Sequence, residues 1–254
     1  ECTLSGPKLK LLIDQQIVVT GARMQVKINN KVVPHNTVIN ADAGSIIGIQ
    51  SSNCGCRCYV AFSNDMEVTK FLGSVSTYVP GKLGGINGRV LKKGDTISFN
   101  SLDTNLIKSS HGALPQYYNS WLIKVTEGPE FKRLSSHTKD NIENIEYVIS
   151  NDSNRMGIRL EGPTLEINES GAMISGPVFT GTIQCPGNGL PILLGPDAQT
   201  LGGYPRIFQV AKVDRFLIGQ MRPGDQLKFK RIKIEEAEKL WLDRVLSFPF
   251  LSKI

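Results

Sequence analysis

The sequence of 254 residues has no long apolar run, although 40% of its residues are hydrophobic. No stretch reaches the roughly 18 to 20 consecutive apolar residues that a membrane-spanning helix needs. Aromatic residues make up only 7% of the chain, and 20% of its residues are charged. The balance is ordinary for a globular protein, so the sequence predicts one with no membrane partner.

The familiar catalytic motifs are absent as well. The sequence has no Walker-type Gly-x-x-x-x-Gly-Lys-Ser/Thr loop, no Gly-x-Ser-x-Gly elbow and no His-Glu-x-x-His pair. Its histidines are His35, His111 and His137, which lie far apart and are interpreted as ordinary surface residues. An enzyme with this sequence must assemble its site from scattered polar groups or share the site with a partner.

The cysteines do not follow a metal-binding or disulfide pattern. Cys54, Cys56 and Cys58 alternate, whereas Cys2 and Cys185 stand apart. Zinc sites usually separate two cysteines by two residues, so that both thiolates reach one ion. Alternate cysteines on a strand share one face, which suits packing better. We expect reduced structural cysteines, no metal site and a cytoplasmic location.

Positive charge is in excess but dispersed. The net charge is +6 and the sequence pI is about 9.0. The densest basic cluster, residues 228–233, alternates Lys and Arg with apolar residues, as a half-buried strand does. Because no nucleic-acid-binding motif accompanies this cluster, we expect no nucleic-acid partner.

Short β-branched and aromatic runs predict a mostly β fold. The 25 glycines and 13 prolines are spread along the chain, as turns between short strands require. The clearest predicted strands are residues 16–20, 24–28, 45–49, 96–99, 121–125 and 145–149. One helix is predicted over residues 235–245, where Ala237, Leu240 and Trp241 recur at helical spacing.

Two signatures occur in the same order in both halves of the chain. The matched pairs are residues 4–11 with 160–167, and residues 93–99 with 223–229. The second pair shares a Gly-Asp turn entering an alternating run. The order predicts a duplication into two related β subdomains, residues 1–110 and 111–254, separated in the polar loop near residues 100–120.

A first polar segment, residues 153–163, combines arginines with small polar residues and glycines. The planar arginine fork suits a carboxylate, carbamate or phosphate, and glycine lets backbone N–H groups approach an anion. Alternatively, Arg155 or Arg159 pairs with an internal acid such as Glu161. The residue types leave both interpretations open.

In a second polar segment, residues 181–205, an apolar run leads into a glycine-rich loop. Its amides and hydroxyls can bind a cyclic amide or a urea-like group through paired donors and acceptors. Asp197 could orient a donor or, when partly desolvated, act as a base. The alternative is a tight turn in which polar side chains satisfy the local backbone. A third glycine cluster, residues 84–89, lacks the lysine and helix of a nucleotide site.

Together these segments resemble the family of KipA, allophanate hydrolase subunit 2 and the 5-oxoprolinase C subunit, which is related to the carboxyltransferase part of urea carboxylase. The motifs that carry the resemblance are Gly-Ser-Val-Ser-Thr-Tyr at 73–78, Gly-Gly-Ile-Asn-Gly-Arg at 84–89, Ser-Asn-Arg-Met-Gly at 153–157, Gly-Thr-Ile-Gln at 181–184, Asp-x-Gln-Thr-x-Gly-Gly-Tyr-Pro at 197–205 and Gln-x-x-Pro-Gly-Asp at 220–225. They keep the family order over nearly the whole chain.

The resemblance implies a cyclophilin-like β-barrel architecture with a C-terminal helix, and an enzyme that is inactive without partners. Expected partners are a KipI-like B subunit of 5-oxoprolinase and a LamB/YcsF-like A subunit. The complex uses ATP, biotin enters only in a urea-carboxylating system, and this chain is assigned no metal. The implied catalytic residues are Asp197 and Arg155, and the implied substrate-binding residues are Ser153, Asn154, Arg159, Gln184, Gln199, Thr200 and Tyr204.

Three functions fit this family. The first is the C subunit of an ATP-dependent 5-oxoprolinase that cleaves 5-oxo-L-proline to L-glutamate. The second is a carboxyltransferase-type subunit of a urea carboxylase or allophanate hydrolase system. The third is a KipA-like regulator that binds a KipI-like inhibitor.

Several departures from the family pattern concern the N-terminal half. The family has an earlier segment with a Gln-Asp-x-Gly-Arg-x-Gly stretch, and this chain is expected to start after it. Val75 replaces a usual arginine and Ser63-Asn64 replaces a usual Gly-Gly, whereas in the C-terminal half Leu201 replaces a usual threonine. The missing segment and the lost arginine weaken an anion site in the N-terminal half and leave the C-terminal motifs intact.

Overall fold

A computed structural model describes residues 1–100, 115–168 and 173–248. The chain forms two compact units. The first contains Glu1–Thr20, Met24–Ser51 and Cys58–Leu114, and the second contains Gly21–Arg23, Ser52–Arg57 and Pro115–Ile254. The predicted boundary between residues 110 and 111 lies outside the described residues, and the division into subdomains 1–110 and 111–254 stays a prediction.

The N-terminal strands build two small sheets. The strands are β1 (Cys2–Thr3), β2 (Lys8–Lys10), β3 (Gln15–Gly21), β4 (Val26–Ile28), β5 (Lys31–Val33), β6 (Ile39–Ala41), β7 (Ile46–Ile49) and β8 (Arg57–Phe62). One sheet has the order β1-β8-β3-β6 and the other β2-β7-β4-β5. Side chains of β3 alternate between buried and half-buried, so that Ile17 and Val19 lie in the core.

The second unit is organised around a closed barrel. Its strands are β9 (Ser120–Glu127), β10 (Tyr147–Ile149), β11 (Gly157–Glu161), β12 (Gly176–Pro177), β13 (Thr182–Gln184), β14 (Ile192–Leu194), β15 (Leu201–Gly202), β16 (Arg206–Val210) and β17 (Gln226–Arg231). The barrel order is β10-β11-β14-β13-β16-β9-β17, and antiparallel pairing of β17 with β10 closes it. β12 and β15 pair separately, outside the barrel.

Aromatic rings fill the barrel interior. Phe208 lies between Phe131 and Phe229, with ring centroids 5.3 and 5.6 Å away, and Tyr147 lies 5.8 Å from Phe229. Such tilted pairs add about 0.5 to 1.5 kcal/mol each beyond the burial of their area. Trp121 and the alternate residues of β9 complete this core.

The Gln-x-x-Pro-Gly-Asp motif is structural. The Gln220 side-chain oxygen accepts from the backbone N–H of Cys56 and of Arg57, both at 3.1 Å, and its amide donates to the Arg57 carbonyl at 2.9 Å. Asp225 accepts from the Trp121 indole at 2.8 Å and from the Arg222 backbone N–H at 3.0 Å. Both side chains are buried, so each must be paired inside the protein.

The internal repeat is partly visible as a turn. The Asp95 side chain accepts from the Lys92 N–H at 2.7 Å, as Asp225 does from Arg222, and Gly94 and Gly224 have φ of +93° and +87°. The two turns lead to different structures, because a strand, β17, follows only the second. The predicted strand over residues 96–99 is therefore wrong, and the duplication remains a hypothesis.

Three α-helices accompany the described strands: α1 (Ser136–Asn141), α2 (Arg215–Ile218) and α3 (Ile234–Ser247). Two short 3-10 helices lie at Phe131–Arg133 and Lys212–Asp214. The long helix α3 confirms the predicted C-terminal helix and extends it by one residue at its start and two at its end. Its Ala237 and Leu240 pack against Ala211, Val213 and Ile232. Within the described residues, no helix is both long and apolar enough to cross a lipid bilayer.

The cysteines and histidines correct two expectations. Cys54 and Cys56 precede β8 rather than alternating along it, because Gly55 adopts a φ of +76° that interrupts the strand. His35 is half-buried, with Nε2 2.6 Å from the Met24 carbonyl oxygen, so it is not an ordinary surface residue. His137 is exposed, and His111 lies outside the described residues.

We expect Phe208→Ala to lower the free energy of unfolding by about 3 to 5 kcal/mol, because it removes a fully buried ring and both of its aromatic contacts. Denaturant unfolding followed by tryptophan fluorescence measures this, since Trp121 lies in the same core. Phe179→Ala is the matched control, because Phe179 is 64% exposed and its loss should change stability by about 0.5 kcal/mol or less. Equal losses for both variants would contradict the assignment of the core.

Candidate functional site

Strand pairing places the predicted polar residues on the outside of the barrel. Ile183 of β13 is paired with Leu193 of β14 and with Phe208 of β16, and all three side chains are fully buried. Side chains alternate along a strand, so Gln184 and Ile192, next to Ile183 and Leu193, face outward. A register shift between Ile183 and Gln184 brings Arg206 beside Gln184, although Ile207 and Phe208 of β16 are both buried. Register then gives one outward row across four strands: Arg159 beside Ile192, Ile192 beside Gln184, and Gln184 beside Arg206.

Gln184 is nevertheless buried, with 1% exposure, because the two-stranded β12–β15 sheet covers it. Gly202 makes this cover feasible, because a Cβ atom at that position would lie 2.6 Å from Gln184 Nε2. The glycine of the Gly-Gly-Tyr-Pro motif is thus explained by close approach to the barrel and not by backbone strain.

The two glutamine amides are brought together. Gln184 Nε2 donates to the Tyr204 carbonyl at 3.1 Å, and Gln199 Nε2 lies 3.5 Å from Gln184 Oε1. The Gln199, Thr200 and Tyr204 side chains are exposed, unlike that of Gln184. The exposed groups can therefore meet a ligand, while Gln184 supports the loop from below.

A bidentate ion pair joins the two polar segments. Arg155 Nε donates to Asp197 Oδ2 at 2.7 Å, and its Nη2 donates to Oδ1 at 3.0 Å. Their backbones are also joined, because the Asp197 N–H donates to the Arg155 carbonyl at 3.1 Å. Both carboxylate oxygens are engaged, which favours the orienting role of Asp197 over the role of a base. Arg155 thus pairs with an internal acid, as the alternative interpretation held, and that acid is Asp197; no ion pair joins Arg159 to Glu161 among the described residues.

Ser153 and Asn154 hold their own turn. The Ser153 hydroxyl accepts from the Arg159 N–H at 3.0 Å, and the Asn154 side chain accepts from the Met156 N–H at 2.8 Å. These are local backbone contacts of the kind that serine and asparagine make in turns. The contacts fix the start of β11, and their substrate-binding roles stay predictions.

A second ion pair holds the β12–β15 sheet at the Arg206 end of the row. Arg206 Nε and Nη2 donate to the two Glu130 oxygens at 2.8 and 2.7 Å, and Nη1 donates to the Pro177 carbonyl of β12 at 2.9 Å. Both side chains are less than one-fifth exposed. Hydrogen bonds from Arg206 lower the pKa of Glu130, although burial opposes this shift.

Comparison with known proteins places this geometry in a family. The carboxyltransferase domain family, subdomains A and B, matches residues 1–231. The chain belongs to this family. Its mostly β structure, closed barrel and C-terminal helix confirm the fold that the motifs predict.

The chain is similar both to 5-oxoprolinase C subunits and to urea amidolyases. The chain is 30% identical over 240 residues to the 5-oxoprolinase C subunit of Haemophilus influenzae, covering 94% of this chain and 77% of that protein. It is 29% identical over 263 residues to urea amidolyase of Saccharomyces cerevisiae, covering 94% of this chain but only 14% of that protein.

Solved structures show the same likeness. The urea amidolyase of K. lactis superposes with a TM-score of 0.86 at 28% identity, covering 96% of this chain and 16% of that chain. The protein TTHA0988 gives a TM-score of 0.79 at 25% identity, covering 90% of this chain and 44% of that chain. In both, the matched part belongs to a longer polypeptide.

Sequence reasoning missed Arg206 and Glu130 in this carboxyltransferase domain. They are 76 positions apart, and no local pattern joins them, although Arg206 directly follows the Gly-Gly-Tyr-Pro motif. In the third glycine cluster, Asp95 accepts hydrogen bonds from Arg89 at 2.7 and 2.9 Å, so that guanidinium has an internal partner. No group of three or more His, Cys, Asp or Glu residues in the described part of the chain is arranged to hold a metal ion.

Gly202→Ala should displace Gln184 and lower the free energy of unfolding by about 1 to 3 kcal/mol, because the new methyl group overlaps a buried amide. Gly203→Ala is the matched control, since its Cβ would meet nothing nearer than Ser175 Oγ at 3.5 Å. Denaturant unfolding of both variants measures the difference. Equal stability of the two variants would argue against close packing of the β12–β15 sheet on Gln184.

Glu130→Gln should remove a pH-dependent part of the stability. The folded-state pKa of Glu130 is lowered, so its contribution is fully present above the unfolded pKa of about 4.3. That contribution is lost as pH falls through the lower folded value. The free energy of unfolding should therefore fall less steeply for the variant than for the wild type as the pH is lowered from neutral to acidic. Identical pH slopes would show that the ion pair does not form.

Proposed function

We propose that this chain is the C subunit of an ATP-dependent 5-oxoprolinase, which cleaves 5-oxo-L-proline to L-glutamate together with partner subunits. The observation that carries the proposal is the grouping of amides and a paired guanidinium on one outer face of the barrel. Its support from relatives is the near full-length similarity to proteins named as the C subunit of 5-oxoprolinase.

The site chemistry suits a cyclic amide. An exposed carboxamide such as that of Gln199 offers both a donor and an acceptor, which match the C=O and N–H groups of a lactam. Preorganised donors aimed at the carbonyl oxygen stabilise the charge that develops there during ring opening. In this proposal Gln184 positions Tyr204 and Gln199, and the Arg155–Asp197 pair fixes the loop that carries them.

The remaining machinery belongs to partner chains in this proposal. We assign to them the ATP chemistry and part of the substrate enclosure, with a KipI-like B subunit and a LamB/YcsF-like A subunit as the expected partners. The exposed position of Gln199, Thr200 and Tyr204 fits a site that a partner completes, because water must be excluded before lactam chemistry. The whole assembly would act in the cytoplasm, and this chain alone would be inactive.

A urea-directed carboxyltransferase is the second candidate. It is favoured by the TM-scores of 0.86 with the urea amidolyase and urea carboxylase structures of Kluyveromyces lactis. Urea also contains an N–C=O unit and would use the same amides. This candidate requires biotin on another chain or domain, so urea-dependent and biotin-dependent ATP turnover would support it over the first.

We expect the chain reconstituted with its two partner subunits to cleave 5-oxoproline with ATP, and Gln199→Ala to lower kcat/KM about 10- to 100-fold. The reason is the loss of one amide that contacts the substrate carbonyl or N–H group. Glutamate formation measures the rate. Gln226→Ala is the matched control, because Gln226 is an exposed glutamine at the start of β17, a barrel strand that does not contribute to the outer row.

Two outcomes would contradict these expectations. No glutamate formation by the complete wild-type mixture, at any 5-oxoproline concentration, would refute the 5-oxoprolinase assignment. An active mixture in which Gln199→Ala behaves like Gln226→Ala would keep the assignment and refute the site.

A further inference from the structure

Arg159 differs from the two other arginines described above, Arg155 in the turn before β11 and Arg206 in the outer row. Arg155 is paired with Asp197 and Arg206 with Glu130, but the Arg159 side chain has no ion pair or hydrogen bond among the described residues. It is exposed and projects from β11 on the same face as Gln184. Its guanidinium therefore offers an open fork for an anion.

The backbone at Arg159 is firmly held. The Ser153 hydroxyl accepts from its N–H at 3.0 Å and lies 3.4 Å from its carbonyl oxygen, and the Ser150 N–H donates to that carbonyl at 2.9 Å. Barrel pairing with Ile192 fixes the other edge of the strand. A fixed backbone limits the positions that the guanidinium can reach, which suits a binding group better than a mobile surface charge does.

An apolar floor separates Arg159 from the amides. Ile192 lies between Arg159 and Gln184 in the row, and it is half-buried. Gly157 adds no side chain, and a Cβ at that position would lie 3.1 Å from Ile192 Cγ2. The row thus runs from an exposed guanidinium through a half-buried apolar side chain to the buried Gln184, against which the exposed Gln199 amide lies.

We propose that Arg159 binds the carboxylate of an anionic cyclic amide, whose ring methylenes lie over Ile192 and whose lactam group meets Gln199. The inference deepens the proposed function and rests on it, because it names the substrate feature that the same site selects. Urea has neither a carboxylate nor methylenes, so it would use only one of the three parts.

The spacing agrees with a small ring. Neighbouring strands lie about 4.8 Å apart, so the Cα atoms of Arg159 and Gln184, two strands apart, are separated by about 10 Å. The exposed Arg159 side chain starts at one end of this span, and the exposed Gln199 amide lies 3.5 Å from Gln184 at the other. A five-membered lactam carrying one carboxylate has a size suited to such a span.

The test is the KM of the reconstituted assembly for 5-oxoproline, compared with inhibition by 5-oxoprolinamide, its neutral amide of the same size. Arg159→Gln should raise the KM for 5-oxoproline about 10- to 100-fold with a smaller change in kcat, because the carboxylate keeps its charge and takes no part in breaking the lactam C–N bond. Its inhibition constant for 5-oxoprolinamide should stay near the wild-type value. Arg159→Lys, which keeps the charge and loses the fork, should recover part of the affinity.

Arg215→Gln is the matched control. Arg215 is an exposed arginine on α2 that also makes no described side-chain contact, so the variant carries the same change of charge. It should leave both constants unchanged. Since an exposed ion contact is screened, rising salt should also raise the KM of the wild type more than that of Arg159→Gln.

Two failures are distinguishable. A wild-type assembly without 5-oxoproline cleavage would refute the proposed function. An active assembly in which Arg159→Gln weakens the binding of 5-oxoproline and of 5-oxoprolinamide equally, or weakens the binding of neither, would overturn the carboxylate role. The proposed function would still stand.

Discussion

The alternation of side chains around the closed barrel is the constraint on which the site depends. Because Ile183 and Leu193 must face the core, Gln184 and Ile192 must face outward, and a register shift between β13 and β16 brings Arg206 beside Gln184. A one-residue slip of β13 would bury Thr182 and Gln184 in the apolar interior and expose Ile183. The cost of burying unpaired amides enforces the register, and the register assembles the polar row.

A second layer turns this open row into an ordered arrangement. The β12–β15 sheet covers Gln184, and the Tyr204 carbonyl that follows β15 accepts from its amide. Arg206 joins this sheet to Glu130. The cover needs a glycine at position 202, since any side chain there would strike the amide. Motif residues that look catalytic in the sequence thus divide into supports, such as Gln184, and exposed groups, such as Gln199.

The sequence predicts the class of fold and the convergence of two segments, but not the contacts between them. Strand patterns and the late helix are local, and most predicted strands are present. The pairing of Arg155 with Asp197 spans 42 positions, so an acid nearer in sequence, Glu161, looks equally suitable. Residues 96–99 alternate like a strand and yet form only an isolated bridge, between Phe99 and Met66, because alternation permits pairing without extending it into a ladder.

The three outer-face arginines show how partners separate structural from binding roles. Arg155 and Arg206 each share two hydrogen bonds with one carboxylate, so their charge is largely neutralised and their geometry serves the loops. Arg159 has the same chemistry, and its backbone is held equally well, but no described acid lies against it. Since folding has satisfied the other two guanidiniums, the charge that remains on this face is the one available to attract an anion.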